Sequence, residues 1–178
     1  VLPTLTTDER RGNVLNLTQQ NYDSRAFALL PANPFAGLDT KDGFTVNFWT
    51  TTTGTAGGNR CLMDFEVAPA TNGRAGTFAI NQQMLYWNTT DQNGAFTDFT
   101  TGNLGLSTKA WTMVTVAVTE SGITFYSTGK QISHTISSGT EDYKQMIGDL
   151  AGTSGIAEDP SDTNVRLGAS LATYWHCA

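Results

Sequence analysis

Apolar and polar residues alternate along much of the chain. Between Phe44 and Trp49, the residues Phe44, Val46 and Phe48 fall on one side and Thr45 and Asn47 on the other, and Trp49 opens that second face. A period of two is the signature of a half-buried strand. The run Trp111–Thr119 (WTMVTVAVT) is the strongest such segment. Shorter ones are Asn13–Leu17, Ala26–Leu30 (closed by Pro31 and Pro34), Cys61–Val67, Ile123–Ser127, Gln131–Ile136 and Asn164–Gly168. Gly76–Ile80 and Gln83–Trp87 predict a hairpin turning near Asn81-Gln82. Turn chemistry separates the segments: 50–59 is a Thr- and Gly-rich loop, and Asp91-Gln92-Asn93-Gly94, Glu120-Ser121-Gly122 and Thr128-Gly129-Lys130 are reversals. The stretch 141–150 predicts one helical turn, and Asp159-Pro160-Ser161-Asp162 a loop. Residues 1–12 are polar and irregular, a leader or linker before one domain spanning 13–178. Strands recurring every roughly 8–12 residues predict an all-β sandwich or barrel.

Composition narrows the class. The chain has 178 residues, one domain's worth. Threonine is its commonest residue; the branched Cβ suits a pleated surface. Net charge is −6, and the ten Lys and Arg are scattered. Nucleic-acid backbones select clustered cations, so DNA and RNA are excluded as partners. No apolar run approaches the ~18 residues that a membrane-spanning helix needs.

High Thr, Asn and Gly with little Lys and Glu predicts a secreted, extracellular or cell-surface protein. Val1 then reads as a mature terminus with any leader removed. Asn16-Leu17-Thr18 and Asn88-Thr89-Thr90 are acceptor sequons, so Asn16 and Asn88 are candidate glycosylation sites. In an oxidising compartment the two cysteines, Cys61 and Cys177, are either one disulfide or two unrelated buried thiols.

Four segments, in order, carry a family resemblance. Phe44–Trp49 (FTVNFW) resembles the "FTVSFW" strand of laminin-G-like and concanavalin A-like jelly rolls. Trp111–Thr119 resembles their "W-x-x-V-A-V-T" strand, and Gly122–Lys130 (GITFYSTGK) the following "G-x-x-x-L-Y-V-N-G-K" hairpin. Val165–Ala169 resembles the late "L-x-L-G-x" strand, and Asn13–Leu17 fits the opening strand. The resemblance implies an antiparallel β-sandwich of jelly-roll type over about residues 13–170. Trp111, Val114, Val116 and Val118 are then expected between the two sheets. Such chains usually continue with a strand of the form "G-x-I-D-x-V-x-I-Y", whereas this one ends at Thr173-Tyr174-Trp175-His176-Cys177-Ala178. A missing closing strand predicts an open sheet edge, through which the chain could self-associate or take a partner strand. Residues 1–10 or 13–17 are the alternative cover.

Catalytic chemistry is sparse. HExxH, GxSxG, Walker, GxGxxG and CxxC motifs are absent, and the two histidines, His134 and His176, cannot build a multi-histidine metal site. Concanavalin A-like glucanases carry "E-x-D-x-E" on a strand, because retaining hydrolysis needs two carboxyls about 5–5.5 Å apart. Asp64 and Glu66 fit the last two positions, but Leu62 stands where the nucleophile belongs. The resemblance also implies calcium at the rim, a hard cation wanting about six to eight oxygens. Glu158, Asp159, Asp162 and Asn164 form the denser candidate cluster; Asp91, Asn93 and Asp98 form another. Sugars are held by aromatic plates and planar amides. Tyr86, Trp87, Asn88, Asp91 and Asn93 group near one loop, and Tyr174 and Trp175 group beside His176. Alternation sends Tyr86 and Trp87 to opposite faces, so one of them is core.

The expected function is non-catalytic extracellular recognition of a glycan or protein. A structural subunit of a surface assembly or filament stands second, and glycoside hydrolysis third.

Overall fold

The computed structural model describes residues 4–16, 28–29, 37–39, 41–51, 59–64, 77–81, 84–90, 96–138 and 166–167. All regular structure among them is strand, and every pairing is antiparallel. The strands are β1 (Thr4–Asp8), β2 (Gly12–Asn16), β3 (Ala28–Leu29), β4 (Phe44–Thr50), β5 (Asn59–Asp64), β6 (Thr77–Asn81), β7 (Met84–Thr90), β8 (Phe96–Thr101), β9 (Thr112–Thr119), β10 (Gly122–Ser127), β11 (Lys130–Ile132), β12 (His134–Ser138) and β13 (Arg166–Leu167). A four-stranded sheet runs β11-β10-β9-β4, a seven-stranded sheet runs β12-β8-β7-β6-β5-β13-β3, and β1-β2 is a separate hairpin.

The predicted alternation becomes the sandwich core. In β9, Thr112, Val114, Val116 and Val118 are buried, and the residues between them are half-buried. Their register partners in β4 are Thr50, Phe48, Val46 and Phe44. Ile123 and Phe125 extend that face into β10, and Leu85 and Phe99 meet it from the seven-stranded sheet. Leu85, Phe99, Val114 and Val116 are completely buried. Buried Thr101 is satisfied rather than stranded: its hydroxyl accepts from the Leu85 amide at 2.9 Å and donates to the Gly102 carbonyl at 2.9 Å.

Four expectations change. Residues 4–8 are not irregular; they pair with β2 from Thr4↔Asn16 to Asp8↔Gly12. The predicted strand 131–136 is two strands that switch sheets at Ser133, whose carbonyl accepts from the Gly102 amide at 2.9 Å. Strand β8 was not foreseen, because FTDFTT has no apolar alternation; a threonine, Thr101, takes one of its buried places. Trp111 does not lie between the sheets: it is half-buried just before β9 and donates its indole Nε1–H to Asp8 Oδ2 at 2.9 Å. β13 lies between β5 (Arg166↔Asp64) and β3 (Arg166↔Leu29), and β3 is the terminal strand of the seven-stranded sheet among the described residues. The proposed helical turn at 141–150 lies outside the described residues.

The β10–β11 turn carries local strain. Thr128 has φ 50° and Gly129 φ 78°. Two positive φ values make the type I′ geometry that favours Asn-Gly, and a β-branched residue there is a genuine outlier. Thr128→Asn is therefore expected to raise the unfolding free energy by about 1 kcal/mol, read from urea denaturation. No gain, or a loss, would mean that contacts made by threonine outweigh the strain.

Candidate functional site

Alternation sets one face of the four-stranded sheet inward and the other outward. On the outward face, the register aligns Asn47 (β4), Thr115 (β9), Tyr126 (β10) and Gln131 (β11) in one row across all four strands. Asn47 and Gln131 are exposed, and Thr115 and Tyr126 between them are half-buried. The Thr115 hydroxyl donates to Asn47 Oδ1 at 2.9 Å, which fixes how the amide is presented. The row on one side holds Thr45, Ala117 and Thr124. The row on the other holds Trp49 and Met113, with the Thr128 amide donating to the Met113 carbonyl at 2.7 Å. Trp49 is 41% exposed. This face therefore combines an aromatic hydroxyl, two planar amides, hydroxyls and an indole. Such a set can pair with sugar hydroxyls and pack against C–H surfaces.

The N-terminal hairpin closes one end of this face. The Arg11 guanidinium lies over the Trp49 ring, 3.4 Å from its centroid. Asp8 fixes the hairpin turn: its Oδ1 accepts from the Arg10 and Arg11 amides at 2.9 and 2.8 Å, while Oδ2 accepts from Trp111. These bonds hold the Asp8 carboxyl below the usual carboxylate range. The Trp111 indole contributes most, then the Arg10 amide, with the Arg11 amide and the nearby Arg11 charge adding less.

A depressed folded pKa stabilises above the unfolded value, and that contribution is lost as pH falls through the folded one. The hairpin is thus expected to stay docked through the ordinary aspartate range, near pH 4, and to loosen below it. The Trp111 indole N–H resonance should move with a midpoint lower than a free aspartate's. In Asp8→Asn that titration should vanish; its persistence would assign the event to another group.

Of the sites expected from sequence, only part lies among the described residues. Tyr86, Trp87 and Asn88 belong to β7, whose backbone pairs Tyr86↔Thr100, Trp87↔Phe99 and Asn88↔Asp98. Trp87 thus occupies a position across from a buried phenylalanine, one step out of phase with Tyr86 and Asn88. Asp91, Asn93, Tyr174 and Trp175 lie outside the described residues, as do the calcium candidates Glu158, Asp159, Asp162 and Asn164. Asn16 is the last residue of β2, and Cys61 pairs with Ala79 in β5; Cys177 is not among the described residues. Asp64 pairs in register with Thr77 and Arg166, and Glu66 lies outside the description. Among the described residues, no three His, Cys, Asp or Glu side chains converge as a metal site. Among the described residues, no helix is long and apolar enough to cross a membrane.

Sequence reasoning passed over Asn47, Tyr126 and Gln131. Their signal was the polar half of the alternation that identified the strands, but only cross-strand register shows that they form a row.

Comparison with known proteins identifies the family. A laminin G family model, described as concanavalin A-like lectin/glucanases superfamily, matches residues 24–167. No curated protein sequence matches the chain. The fold is similar to that of the binding domain of Paraclostridial Mosquitocidal Protein 1, with TM-score 0.56 and 16% identity over 97% of this chain. This chain spans 39% of that structure's length. It is also similar to the CBM40 of the Ruminococcus gnavus IT-sialidase, solved with alpha2,3 sialyllactose, with TM-score 0.50 and 13% identity over 76% of this chain and 68% of that one.

Proposed function

The chain belongs to the concanavalin A-like lectin/glucanase superfamily, and on that premise we propose that it is a non-catalytic, extracellular recognition module that binds a glycan. The observation carrying this reading is the row Asn47–Thr115–Tyr126–Gln131, ordered by backbone register on the outward face of the four-stranded sheet. Amides and hydroxyls spaced by strand pairing, about 4.8 Å apart, suit the repeated hydroxyls of a saccharide, and the Tyr126 ring supplies stacking surface. The sialidase module's ligand in the related fold makes sialyllactose a rational first probe.

The non-catalytic part rests on the carboxylates. Leu62 occupies the nucleophile position of the glucanase strand motif. Asp64 stands in backbone register with Arg166 of β13, and on the strand motif it has no carboxylate partner at position 62.

A glycan array with the folded protein tests the reading. Binding is expected, and Tyr126→Ala should weaken it by about ten-fold, the equivalent of roughly 1.4 kcal/mol, while leaving the melting temperature within a few degrees. An array that stays blank would sink the glycan reading and turn attention to a protein ligand. Repeating the array in EDTA tests the calcium expectation: a drop supports a rim cation, and unchanged binding removes it.

A further inference from the structure

The N-terminal hairpin turn carries two adjacent arginines, Arg10 and Arg11, in a chain of net charge −6. Both are exposed. The turn also carries Asp8 and Glu9; Asp8 is already engaged, one oxygen taking two backbone amides and the other the Trp111 indole. Among the described residues the close ion pair is Lys41–Asp39, at 2.7 Å, not one made by either arginine. The Arg11 guanidinium is spread on the Trp49 indole, which is itself seated beside Met113 at the end of the outward face.

That placement has a chemical consequence. Stacking uses one face of the guanidinium and leaves its donor edges in the ring plane, where a planar fork meets an oxyanion two bonds at a time. The indole holds the cation in place, so less side-chain freedom is lost when the anion arrives.

We propose that Arg11, seated on Trp49 and flanked by Arg10, is an anion subsite at the end of the sugar-binding face. The ligand is then an acidic glycan bearing a carboxylate or sulfate. This proposal rests on the glycan reading above and names the substrate class of that same site. Arg11 makes the contact; Trp49 and Asp8 are positioning residues, one seating the guanidinium and the other shaping the turn that presents it.

The test compares lactose, sialyllactose and a sulfated lactose on the full chain by calorimetry at low and high salt. The acidic sugars are expected to bind at least about ten-fold tighter than lactose, as a bidentate charged pair implies, and to lose that advantage as salt rises. The two acidic arms tell carboxylate from sulfate recognition. Arg11→Ala should remove the advantage while leaving lactose binding and the melting temperature unchanged. Arg11→Lys should not restore it, because an ammonium lacks the fork. Trp49→Ala should reproduce the Arg11→Ala loss, and Trp49→Phe should retain part of the advantage.

Binding of neutral and acidic sugars with equal affinity, or an acidic preference that survives Arg11→Ala, overturns the anion subsite and leaves the glycan reading standing. Failure of all three sugars, with the array also blank, overturns the glycan reading and this proposal with it.

Discussion

Replacing Phe125 with alanine is expected to lower the unfolding free energy by about 3–5 kcal/mol, the range for a deleted core phenylalanine. The ring is 1% exposed on β10, at the position paired with Val116 on one side and Ile132 on the other. It reaches across the sandwich to His134, the first residue after the sheet switch, with ring centroids 5.2 Å apart and planes tilted by 60°. His134 in turn lies 6.1 Å from Phe99, on the neighbouring strand β8 of its own sheet. Truncation thus opens a cavity where three strands from two sheets meet, and neighbours held in ladders cannot collapse into it. Urea denaturation measures the loss directly; in a thermal scan it corresponds to a fall of about 6–20 °C for a domain of this size. Leu5→Ala is the contrast, since Leu5 is 70% exposed: its effect should remain within about 0.5 kcal/mol. If the two variants were equally stable, the sheets would not face each other through Phe125.

Gly43→Ala is the second large effect, expected near 3 kcal/mol. Gly43 is buried at the entry to β4 with φ +68°, a conformation that costs a non-glycine residue roughly 1–2 kcal/mol. Space is the larger problem: a Cβ there would collide with the Val118 carbonyl oxygen. Val118 is the register partner of Phe44 and is itself buried, so the carbonyl belongs to the central ladder and cannot retreat without loosening β4 from β9. Overpacking of this kind adds about 1–3 kcal/mol. Gly105→Ala separates the two contributions. It has nearly the same dihedral, φ +69°, with nothing within 4 Å of the added carbon. It should cost only the conformational part, about 1–2 kcal/mol. Equal losses at the two positions would show that the carbonyl yields easily, and that the approach of Gly43 to Val118 is not what locks the sheet edge.

Much of the framework was readable from local pattern. β4 and β9 alternate cleanly, because each has one face on the core and one toward solvent; their predicted inward residues are the buried or half-buried ones. The Thr128-Gly129 and Glu120-Ser121 reversals were legible from turn chemistry, since positive φ or tight reversal restricts which residues fit. Elements whose periodicity carried no apolar signal were missed. β8 buries a threonine in place of a hydrocarbon, with its hydroxyl taken up by Leu85 and Gly102. β1 is an exposed strand whose hydrogen bonds come from β2 rather than from burial of its own side chains.

The candidate face was less legible than the fold. Asn47, Thr115, Tyr126 and Gln131 are ordinary strand polars when read singly. Arg11, in a stretch that looked like a leader, gave no hint of its place on Trp49. Sequence alone places Trp111 in the core because large aromatics usually are buried; its indole N–H needs an acceptor, and Asp8 of the hairpin provides one.

By itself, the order of residues determined that this protein is an all-β sandwich or barrel, because a period of two and turn-forming residues act over only a few positions; the superfamily was legible only as a resemblance of ordered segments. Tertiary structure alone decided which polar residues stand side by side, that Ala28–Leu29 pairs with the last strand, and that a basic turn comes to rest on an indole 38 positions further along. Those outcomes depend on register and docking between distant segments, and contacts across such separations leave no periodic trace in either partner.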